Sequence, residues 1–503
     1  ASGYLPAMSR KFTRRAALRT IAASGLAPLI LRRVSWAGPP CEPAAFALTE
    51  SDLDALVRGV AGETVFPATS GYDQLRRSWN GRFASWPVAI VRAVSAADVS
   101  AVVRWARPRG IRVTTRSGGH SYIGGSVGDG VIVDLSSMNG VVFDGRTNRA
   151  EVEAGTRLGP LYDELYCGGR GRMLISGTCS SVGVSGITLG GGYNERSRLY
   201  GLTVDALRRA TVVLADGTIV DADARREPDL FWALRGGGPS FGIATAFEFD
   251  TLPWEPLPNI TMTWPWAASA EAFSAWSAWI ATLPPTAATT ATWATNGSVA
   301  SRAFRTVVRS LEGASAAAAL ADSLEHTVGV QTTRASGTLT PPGCASTGEA
   351  TGAPITSTGL FADGAIPFES ARALREGFEA RSRIPEIPVG DWSYCFCHAF
   401  DGAVAARLPD ETAFVHRDKR LLAQLFTNWP LTATAERAEA HKAWQRGLRD
   451  TVRPGFGEGS YFNYADESLP DWRTAYWGGN LCRLEAVKAS YDPGRFWTGR
   501  QFV

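Results

Sequence analysis

The chain has 503 residues, of which 45% are hydrophobic and 20% are charged. This composition excludes long disorder, and the length exceeds one ordinary domain, so we expect at least two domains. The net charge of +3 conceals an asymmetry, because residues 1–37 hold seven basic groups and no acidic one. The remainder has 44 basic and 48 acidic residues, which gives no electrostatic support for a nucleic-acid partner.

The N-terminus has the pattern of an export signal. The adjacent Arg14 and Arg15 precede a weakly apolar run that ends at Leu31, and residues 35–37 form a small-x-small cleavage site. The run is too short and too polar to span a bilayer. We therefore expect a twin-arginine-type leader over residues 1–37 that sends the folded protein out of the cytoplasm. No later segment is predicted to be a membrane helix, and without export the protein would be cytoplasmic.

Strands and helices are predicted to alternate between residues 50 and 250. In chain order they are a helix opened by Ser95, strands at 111–115, 131–135 and 150–154, a helix after Thr156, a hairpin of 210–214 and 218–220 around Asp216-Gly217, a short helix at 228–234 and a strand at 243–249. This order, combined with frequent glycine, is typical of an α+β domain.

The composition changes after residue 254 and becomes rich in Ala, Thr, Ser and Trp. The patterns predict an alanine-rich helix over 314–324, a loop over 335–358, strands near 392–400 and 421–429, and a helix over 435–449. The last 45 residues carry aromatic and basic motifs unlike those before them. The chain therefore divides into three parts after the leader.

Two glycine-rich segments carry the strongest chemical signal. Residues 116–122 (Arg-Ser-Gly-Gly-His-Ser-Tyr) directly follow a predicted strand, and the amide groups of such a loop can face a pyrophosphate. Residues 177–193 hold six glycines, which disfavour an ordinary helix and allow a large flat or phosphorylated ligand to approach the backbone. Alone, each segment also fits an ordinary structural loop.

Together, the two segments resemble the FAD-linked oxidases of the berberine bridge enzyme family, which has a vanillyl-alcohol-oxidase-type FAD domain. Shorter motifs continue the resemblance in the same order along the chain, at residues 133–136, 201–205, 234–238, 412–417 and 461–496. In that family the histidine of R-S-G-G-H is bonded to the flavin 8α carbon and the cysteine of G-x-C to flavin C6. The resemblance thus implies FAD attached covalently at His120 and Cys179.

The resemblance also implies which other residues surround the cofactor. They lie in the two glycine-rich segments and near the C-terminus: Arg116, Ser117, Gly118, Gly119, Ser121, Gly177, Thr178, Val182, Gly183, Gly186, Gly190, Gly191, Asn463 and Asn480. Val182 stands where relatives leave room for dioxygen near the ring, which favours an oxidase over a dehydrogenase.

The catalytic base implied by the resemblance is the tyrosine of the Asn-Tyr pair, Tyr464. An ordinary phenol, with a pKa near ~10, is a poor base at neutral pH and needs its phenolate stabilised. Tyr461, three residues earlier, is a candidate helper. Tyr394 lies on a predicted strand where relatives place a second substrate-site group, although an aromatic that faces a core would look the same.

Metal and serine chemistry have little support. The cysteines are seven in number with no C-x-x-C spacing, and their pairing stays open. We expect His326 and His441 to be surface residues and His416 to be structural. His398 follows Cys395 and Cys397, but we do not expect it to bind a metal ion. Two G-x-S-x-G matches, at 124–128 and 238–242, lack the strand-turn-helix setting of a nucleophile elbow.

We therefore expect an α+β, two-domain vanillyl-alcohol-oxidase/PCMH-type FAD-binding fold. Residues 46–253 would form the FAD domain, 254–454 a substrate domain built on an antiparallel sheet, and 455–503 a segment that returns to the FAD domain. We expect hydride transfer from an alcohol carbon of a bulky secondary metabolite to the flavin, with dioxygen reduced to hydrogen peroxide. A secreted carbohydrate oxidase is the alternative, and a low-turnover flavin-binding protein is a third reading. The partners would be a small-molecule alcohol and dioxygen; the oligomeric state is not predicted.

Overall fold

The computed structural model describes residues 48–339 and 352–503. The leader predicted for residues 1–37 lies outside these residues, so export stays a prediction. No helix in the described ranges is long and apolar enough to cross a bilayer.

The first half of the chain alternates short strands and short helices. The strands are β1 (Glu63–Val65), β2 (Ala89–Arg92), β3 (Val113–Arg116), β4 (Val131–Asp134), β5 (Val141–Asp144), β6 (Arg149–Glu153), β7 (Arg172–Met173), β8 (Leu207–Val213), β9 (Ile219–Asp223), β10 (Ile243–Asp250) and β11 (Leu252–Pro253). The helices are α1 (Glu50–Gly59), α2 (Tyr72–Leu75), α3 (Ala96–Ala106), α4 (Leu158–Tyr162), α5 (Val184–Leu189), α6 (Ser197–Tyr200), α7 (Thr203–Ala206) and α8 (Pro228–Ala233).

Two sheets organise these elements. The first has the order β1-β2-β4-β3, in which β2, β4 and β3 are parallel and β1 is antiparallel. The second is antiparallel, with the order β5-β6-β10-β8-β9. Strand β3 ends at Arg116, so the glycine-rich segment that follows starts at the edge strand of the parallel sheet.

The second half of the chain builds one large antiparallel sheet and its covering helices. Its elements are β12 (Leu257–Trp264), α9 (Ser269–Trp279), β13 (Ala287–Thr295), β14 (Ala303–Ser310), α10 (Ala314–Val328), β15 (Thr333–Leu339), β16 (Ile355–Ala362), α11 (Phe368–Arg381), β17 (Ser393–Ala399), β18 (Leu421–Asn428) and α12 (Ala435–Phe456). The strand order is β15-β12-β14-β13-β17-β18-β16. Two final helices, α13 (Trp472–Trp477) and α14 (Leu481–Tyr491), follow.

The large sheet has two unlike faces, because side chains alternate along each strand. On β17, Cys395 and Cys397 point into a core shared with Trp276, Trp293 and Phe378 of the same half. The intervening side chains of β17 belong to the opposite face, with the aromatic rings of Tyr394 and Phe396 stacked on each other. We call this opposite face the roof, because the functional residues meet beneath it.

The last 40 residues pack with the first half of the chain. Leu469, Trp477, Leu484 and Trp497 belong to the same hydrophobic cluster as the strands of the first two sheets. Lys488 is almost fully buried and holds the end of the chain, because its ammonium donates to the carbonyls of Ser240 and Trp497. The C-terminal segment therefore reaches the site from the side of the first half.

Two expectations about the second half were wrong. Part of the loop predicted over 335–358 is strand, since β15 runs to Leu339 and β16 begins at Ile355. Gly and Ser residues interrupt the strand pattern of both segments, and pairing with β12 and β18 stabilises the strands nevertheless. His441 is fully buried rather than a surface residue: its ring bonds Asp391 at 2.8 Å and Thr427 at 2.7 Å. His326 is exposed as expected.

Candidate functional site

The two glycine-rich segments meet backbone to backbone. A Cβ atom on Gly118 would lie 2.1 Å from the amide nitrogen of Gly183, and a Cβ on Gly183 would lie 2.1 Å from the nitrogen of Gly118. Neither position can hold a larger residue without displacing the other loop. The segments that sequence reasoning singled out separately therefore form one surface.

His120 and Cys179 lie on neighbouring parts of that surface. His120 Nε2 is 2.9 Å from Ser181 Oγ, only two residues beyond Cys179. Cys179 is half-buried and is not disulfide-bonded. Desolvation by burial, aided by the positive charge of Arg157, lowers the pKa of His120 to about 3. The imidazole is therefore neutral at physiological pH and keeps a nitrogen lone pair available for bond formation.

The surroundings of His120 fit a flavin. The indole of Trp79 stacks on the imidazole, with ring centroids 4.2 Å apart, and its N–H is buried with no hydrogen-bond partner among the described residues. A buried unpaired donor calls for a ligand acceptor or water. A Cβ on Gly186 in α5 would meet nothing within 4 Å, so open space adjoins the second segment. Glycine-lined space beside a neutral histidine and a reduced cysteine suits a large flat cofactor.

Other predicted cofactor residues form hydrogen bonds or turns that fix the two glycine-rich segments. Ser117 Oγ donates to the carbonyl of Ala154 at 2.6 Å, and Ser121 Oγ accepts from the amide of Gly125 at 2.8 Å. Gly119 has a φ of +77°, which allows the turn before His120. The carbonyl of Gly177 accepts from the Tyr162 hydroxyl. Thr178 is exposed and Val182 half-buried on the same surface.

Arg116, Asn480, Gly190 and Gly191 contact other parts of the protein, and their predicted contact with the cofactor stays a prediction. The Arg116 guanidinium is buried against the Asp134 carboxylate at 2.6 Å. The Asn480 side chain donates to the carbonyls of Pro409 and Thr412. Gly190 and Gly191 lie against the following residues of the C-terminal segment and the 412–417 loop: Asn463, Tyr461 and Phe414. In this structure these residues connect the glycine-rich segments to the neighbouring strand, the 412–417 loop and the C-terminal segment.

Tyr461 anchors the C-terminal segment to the second glycine-rich segment. Its buried hydroxyl accepts from the Gly192 amide at 2.8 Å and from the Asn463 side-chain amide at 2.8 Å. Asn463 also donates to the Ile187 carbonyl. Burial raises the pKa of Tyr461, and the two donors lower it in part. The helper role of Tyr461 stays a prediction. Its hydrogen bonds fix the short 3-10 helix Phe462–Tyr464.

Tyr464 shares a hydrogen bond with a tyrosine that sequence reasoning missed. Its hydroxyl lies 2.5 Å from that of Tyr193 in the second glycine-rich segment, 271 residues away in sequence. Burial raises the pKa of both phenols well above the ordinary value. Their shared hydrogen bond acts in opposite directions on the two groups, since it raises the pKa of Tyr464 and lowers that of Tyr193. Tyr193 is the last residue of the glycine-rich segment 177–193, and this position is the sequence signal that could have marked it as a site residue.

Two further side chains surround Tyr464. The ring of Tyr122 contacts the ring of Tyr464 edge to face, with centroids 6.2 Å apart. The Gln424 side-chain amide on β18 donates to the Tyr122 hydroxyl at 3.1 Å. Tyr122 follows His120 by two residues, so the histidine loop and the base face the same space. Tyr122 was within a recognised motif, whereas Gln424 has no sequence signal.

Tyr394 lies on the roof in a row of aromatic rings. Trp392, Tyr394 and Phe396 stack in sequence, with centroids 5.6 and 5.2 Å apart and nearly parallel planes. Phe426 of β18 joins Tyr394 at 5.9 Å. Phe396 is the Cα partner of Gln424, which places the inner end of the row near Tyr122. We call Tyr122, Tyr193, Tyr461 and Tyr464, whose rings contact one another, the tyrosine cluster. Tyr394 lines the space beside this cluster and does not face a core.

His398 extends the tyrosine cluster at the deep end of the roof. Its ring contacts the Tyr193 ring edge to face at 4.9 Å. Burial lowers the pKa of His398 to about 4, so the ring is neutral at physiological pH. Within the described ranges no group of three or more His, Cys, Asp or Glu side chains could hold a metal ion.

Family models match both ends of this architecture. Residues 87–223 match the model of an FAD binding domain, and residues 460–503 match the model described as berberine and berberine like. The FAD-linked oxidoreductase dpmaF of Metarhizium anisopliae is 30% identical over 462 residues, which cover 86% of this chain and 87% of that protein. Glucooligosaccharide oxidase of Sarocladium strictum is 30% identical over 470 residues, which cover 84% and 89%.

Solved structures agree with the sequence relatives. Glucooligosaccharide oxidase from Acremonium strictum, described as holding a 6-S-cysteinyl, 8α-N1-histidyl FAD, superposes with a TM-score of 0.81 at 28% identity over 90% of this chain and 99% of that chain. Physcomitrella patens BBE-like 1 superposes with a TM-score of 0.80 at 26% identity over 90% and 98%. The expected α+β FAD-oxidase fold with antiparallel sheets and the FAD cofactor are thereby confirmed. The chain belongs to the berberine bridge enzyme-like family of FAD-linked oxidoreductases.

Proposed function

We propose that this protein oxidises an alcohol carbon of a carbohydrate and passes the electrons to dioxygen. One observation carries the proposal: the hydroxyl pair of Tyr193 and Tyr464 faces the same space as His120. The alcohol loses its hydroxyl proton and a hydride and becomes a carbonyl, and dioxygen takes up both as hydrogen peroxide. FAD, when bound, supplies the hydride acceptor and the route to dioxygen.

We propose that the FAD is held by two covalent bonds, at His120 and Cys179. The support is the neutral imidazole of His120, the reduced Cys179, and Ser181, which links the two loops at 2.9 Å. A doubly attached cofactor need not be enclosed, which leaves the space under the roof open to a large substrate.

Acid precipitation followed by peptide mass spectrometry tests the attachment. We expect a yellow pellet and FAD mass on the peptides of both His120 and Cys179. Replacing Cys179 with Ala should leave the mass on the His120 peptide alone, whereas Cys482→Ala, which removes an exposed cysteine, should change nothing. A colourless pellet from the native protein would refute covalent attachment.

In the proposed reaction Tyr464 takes the proton of the substrate hydroxyl. Its own hydroxyl proton must first pass to solvent, and the hydroxyl of Tyr193 lies 2.5 Å away in a hydrogen bond that either oxygen can donate. Gln424 orients Tyr122 against the Tyr464 ring and so restricts the ring's position. Tyr394 lies on the roof among aromatic rings.

Tyr193→Phe should shift the pH dependence of flavin reduction to lower pH. After burial, the charge and the hydrogen bond of Tyr193 raise the pKa of Tyr464, so removing that hydroxyl lowers the pKa that governs activity. We expect kcat/KM at pH 7 to rise by about threefold to tenfold and the gain to vanish as the pH increases. Rapid-reaction measurements of flavin reduction against pH check this.

The matched control is Tyr491→Phe, since the Tyr491 hydroxyl bonds Glu227 on the FAD-domain surface, away from the tyrosine cluster. It should leave the pH profile unchanged. An unshifted profile in Tyr193→Phe would show that Tyr193 only fills space.

The relatives favour carbohydrates over the bulky secondary metabolite that we first expected. Named similar proteins include chitooligosaccharide oxidase, glucooligosaccharide oxidase and a carbohydrate oxidase. The secondary metabolite stays a second candidate because of one observation, the row of four aromatic rings on the roof. Oxygen uptake with a panel of free oligosaccharides tests the main proposal, and no turnover of any sugar would refute it.

A further inference from the structure

The orientation of the His120 ring is set by its neighbours. The torsion that turns a histidine ring about its last bond has broad, two-fold preferences, so contacts must decide which nitrogen faces the cofactor. Nε2 of His120 lies 2.9 Å from Ser181 Oγ, which restrains the ring within its plane. The indole of Trp79 covers one face of the ring, with the two planes 17° apart. These two contacts together restrain the imidazole in its plane and across its face.

Trp79 keeps a fixed position relative to that ring, because its segment is bonded to the backbone on both sides of His120. The Trp79 amide donates to the carbonyl of Gly119 at 3.2 Å. The next residue, Asn80, is fully buried and donates to the carbonyl of Tyr122 at 3.2 Å and to that of Ile355 at 3.0 Å. The indole is therefore a rigid support for the imidazole.

The restrained imidazole has Nδ1 as its reactive nitrogen. In the tautomer with the proton on Nε2, that N–H donates to Ser181 and the lone pair lies on Nδ1. Burial lowers the pKa of His120 to about 3, and the indole contributes to this burial by covering one face of the ring. His120 is therefore a neutral nucleophile held in one orientation.

From this arrangement we infer that Trp79 is a positioning residue for the covalent attachment of FAD, because its indole holds His120 so that Nδ1 meets the flavin 8α carbon. The inference rests on the attachment proposed above. In that step Nδ1 forms a bond with the 8α carbon, and one C–H bond of the 8α methyl group breaks. The methyl group and the imidazole each lose a proton, and the electron pair passes through the flavin to dioxygen, which becomes hydrogen peroxide.

Cys179 provides an internal comparison within the same molecule. It lies in the other glycine-rich segment, whereas the ring of Trp79 contacts the rings of His120 and Tyr122. A change of the indole should therefore affect attachment at His120 and spare attachment at Cys179. A general loss of folding would reduce both.

Timed attachment of FAD to the full chain tests the inference. The protein is synthesised in a cell-free system with FAD, translation is stopped, and acid-quenched samples are digested for mass spectrometry of the His120 and Cys179 peptides. In Trp79→Leu we expect the half-time at His120 to increase about tenfold to a hundredfold, with that at Cys179 within about twofold of the native value. Trp79→Phe, which keeps an aromatic face, should restore the half-time at His120 to within about threefold.

Trp86→Leu is the matched control, because Trp86 precedes β2 in the same loop but is 50% exposed and its ring contacts Tyr72 and Arg76. It should leave both half-times unchanged. A native half-time at His120 in Trp79→Leu, or equal slowing at His120 and Cys179, would overturn the inference and leave the double attachment standing. Native protein without FAD mass on the His120 peptide would refute the attachment itself, and the inference with it.

Discussion

Tyr464→Phe should lower kcat/KM about a thousandfold, because it removes the hydroxyl that we propose takes the substrate proton. The cofactor should stay attached, since Tyr464 lies on the C-terminal segment and contributes no atom to the loops of His120 and Cys179. Stopped-flow measurement of flavin reduction under anaerobic conditions, with the flavin absorbance as a loading control, gives the rate directly.

Tyr461→Phe is the informative comparison for this prediction. It removes the hydroxyl that accepts from Gly192 and Asn463, so it should lower the melting temperature by several degrees. The rate of flavin reduction should change much less than in Tyr464→Phe. If Tyr461→Phe slowed flavin reduction as severely as Tyr464→Phe at equal flavin content, the assignment of Tyr464 as the base would be wrong.

The second large effect should be on stability. Two motifs that sequence reasoning noted separately meet in an ion pair, in which the carboxylate of Asp205 accepts from the Arg417 guanidinium at 2.8 and 2.9 Å. The Arg417 side chain is 1% exposed. Asp205→Asn leaves that charge buried without its counter-charge, so the free energy of unfolding should fall by about 3 kcal/mol or more.

Chemical denaturation followed by tryptophan fluorescence measures this loss. Asp322→Asn is the matched control, because Asp322 pairs with Arg334 at the surface and is 68% exposed. Its effect should be below about 1 kcal/mol. A comparably small effect of Asp205→Asn would show that the buried pair contributes no more than a surface pair.

The strands that depend on local pattern were predicted well. Apolar β-branched runs predicted β4 and β10, and Asp216-Gly217 predicted the hairpin of β8 and β9, where Gly217 has a φ of +82°. Strand β16 was missed because Ser357 and Gly359 interrupt its strand pattern, and pairing with β18 along its whole length stabilises it. Burial of His441 was missed for a similar reason, since its partner Asp391 comes from a distant loop.

The sequence by itself identified FAD as the cofactor, because its glycine-rich motifs and their order resemble those of the family to which the chain belongs. The same resemblance singled out Tyr464 as the candidate base. Only the tertiary structure decided which groups surround that tyrosine. Tyr193 meets it across 271 residues, Gln424 reaches it through Tyr122, and the oxygen of Tyr461 accepts from two amide donors. The register of β17 against β18 placed the aromatic row beside them, and hydrogen bonding between distant strands leaves no pattern in a single chain.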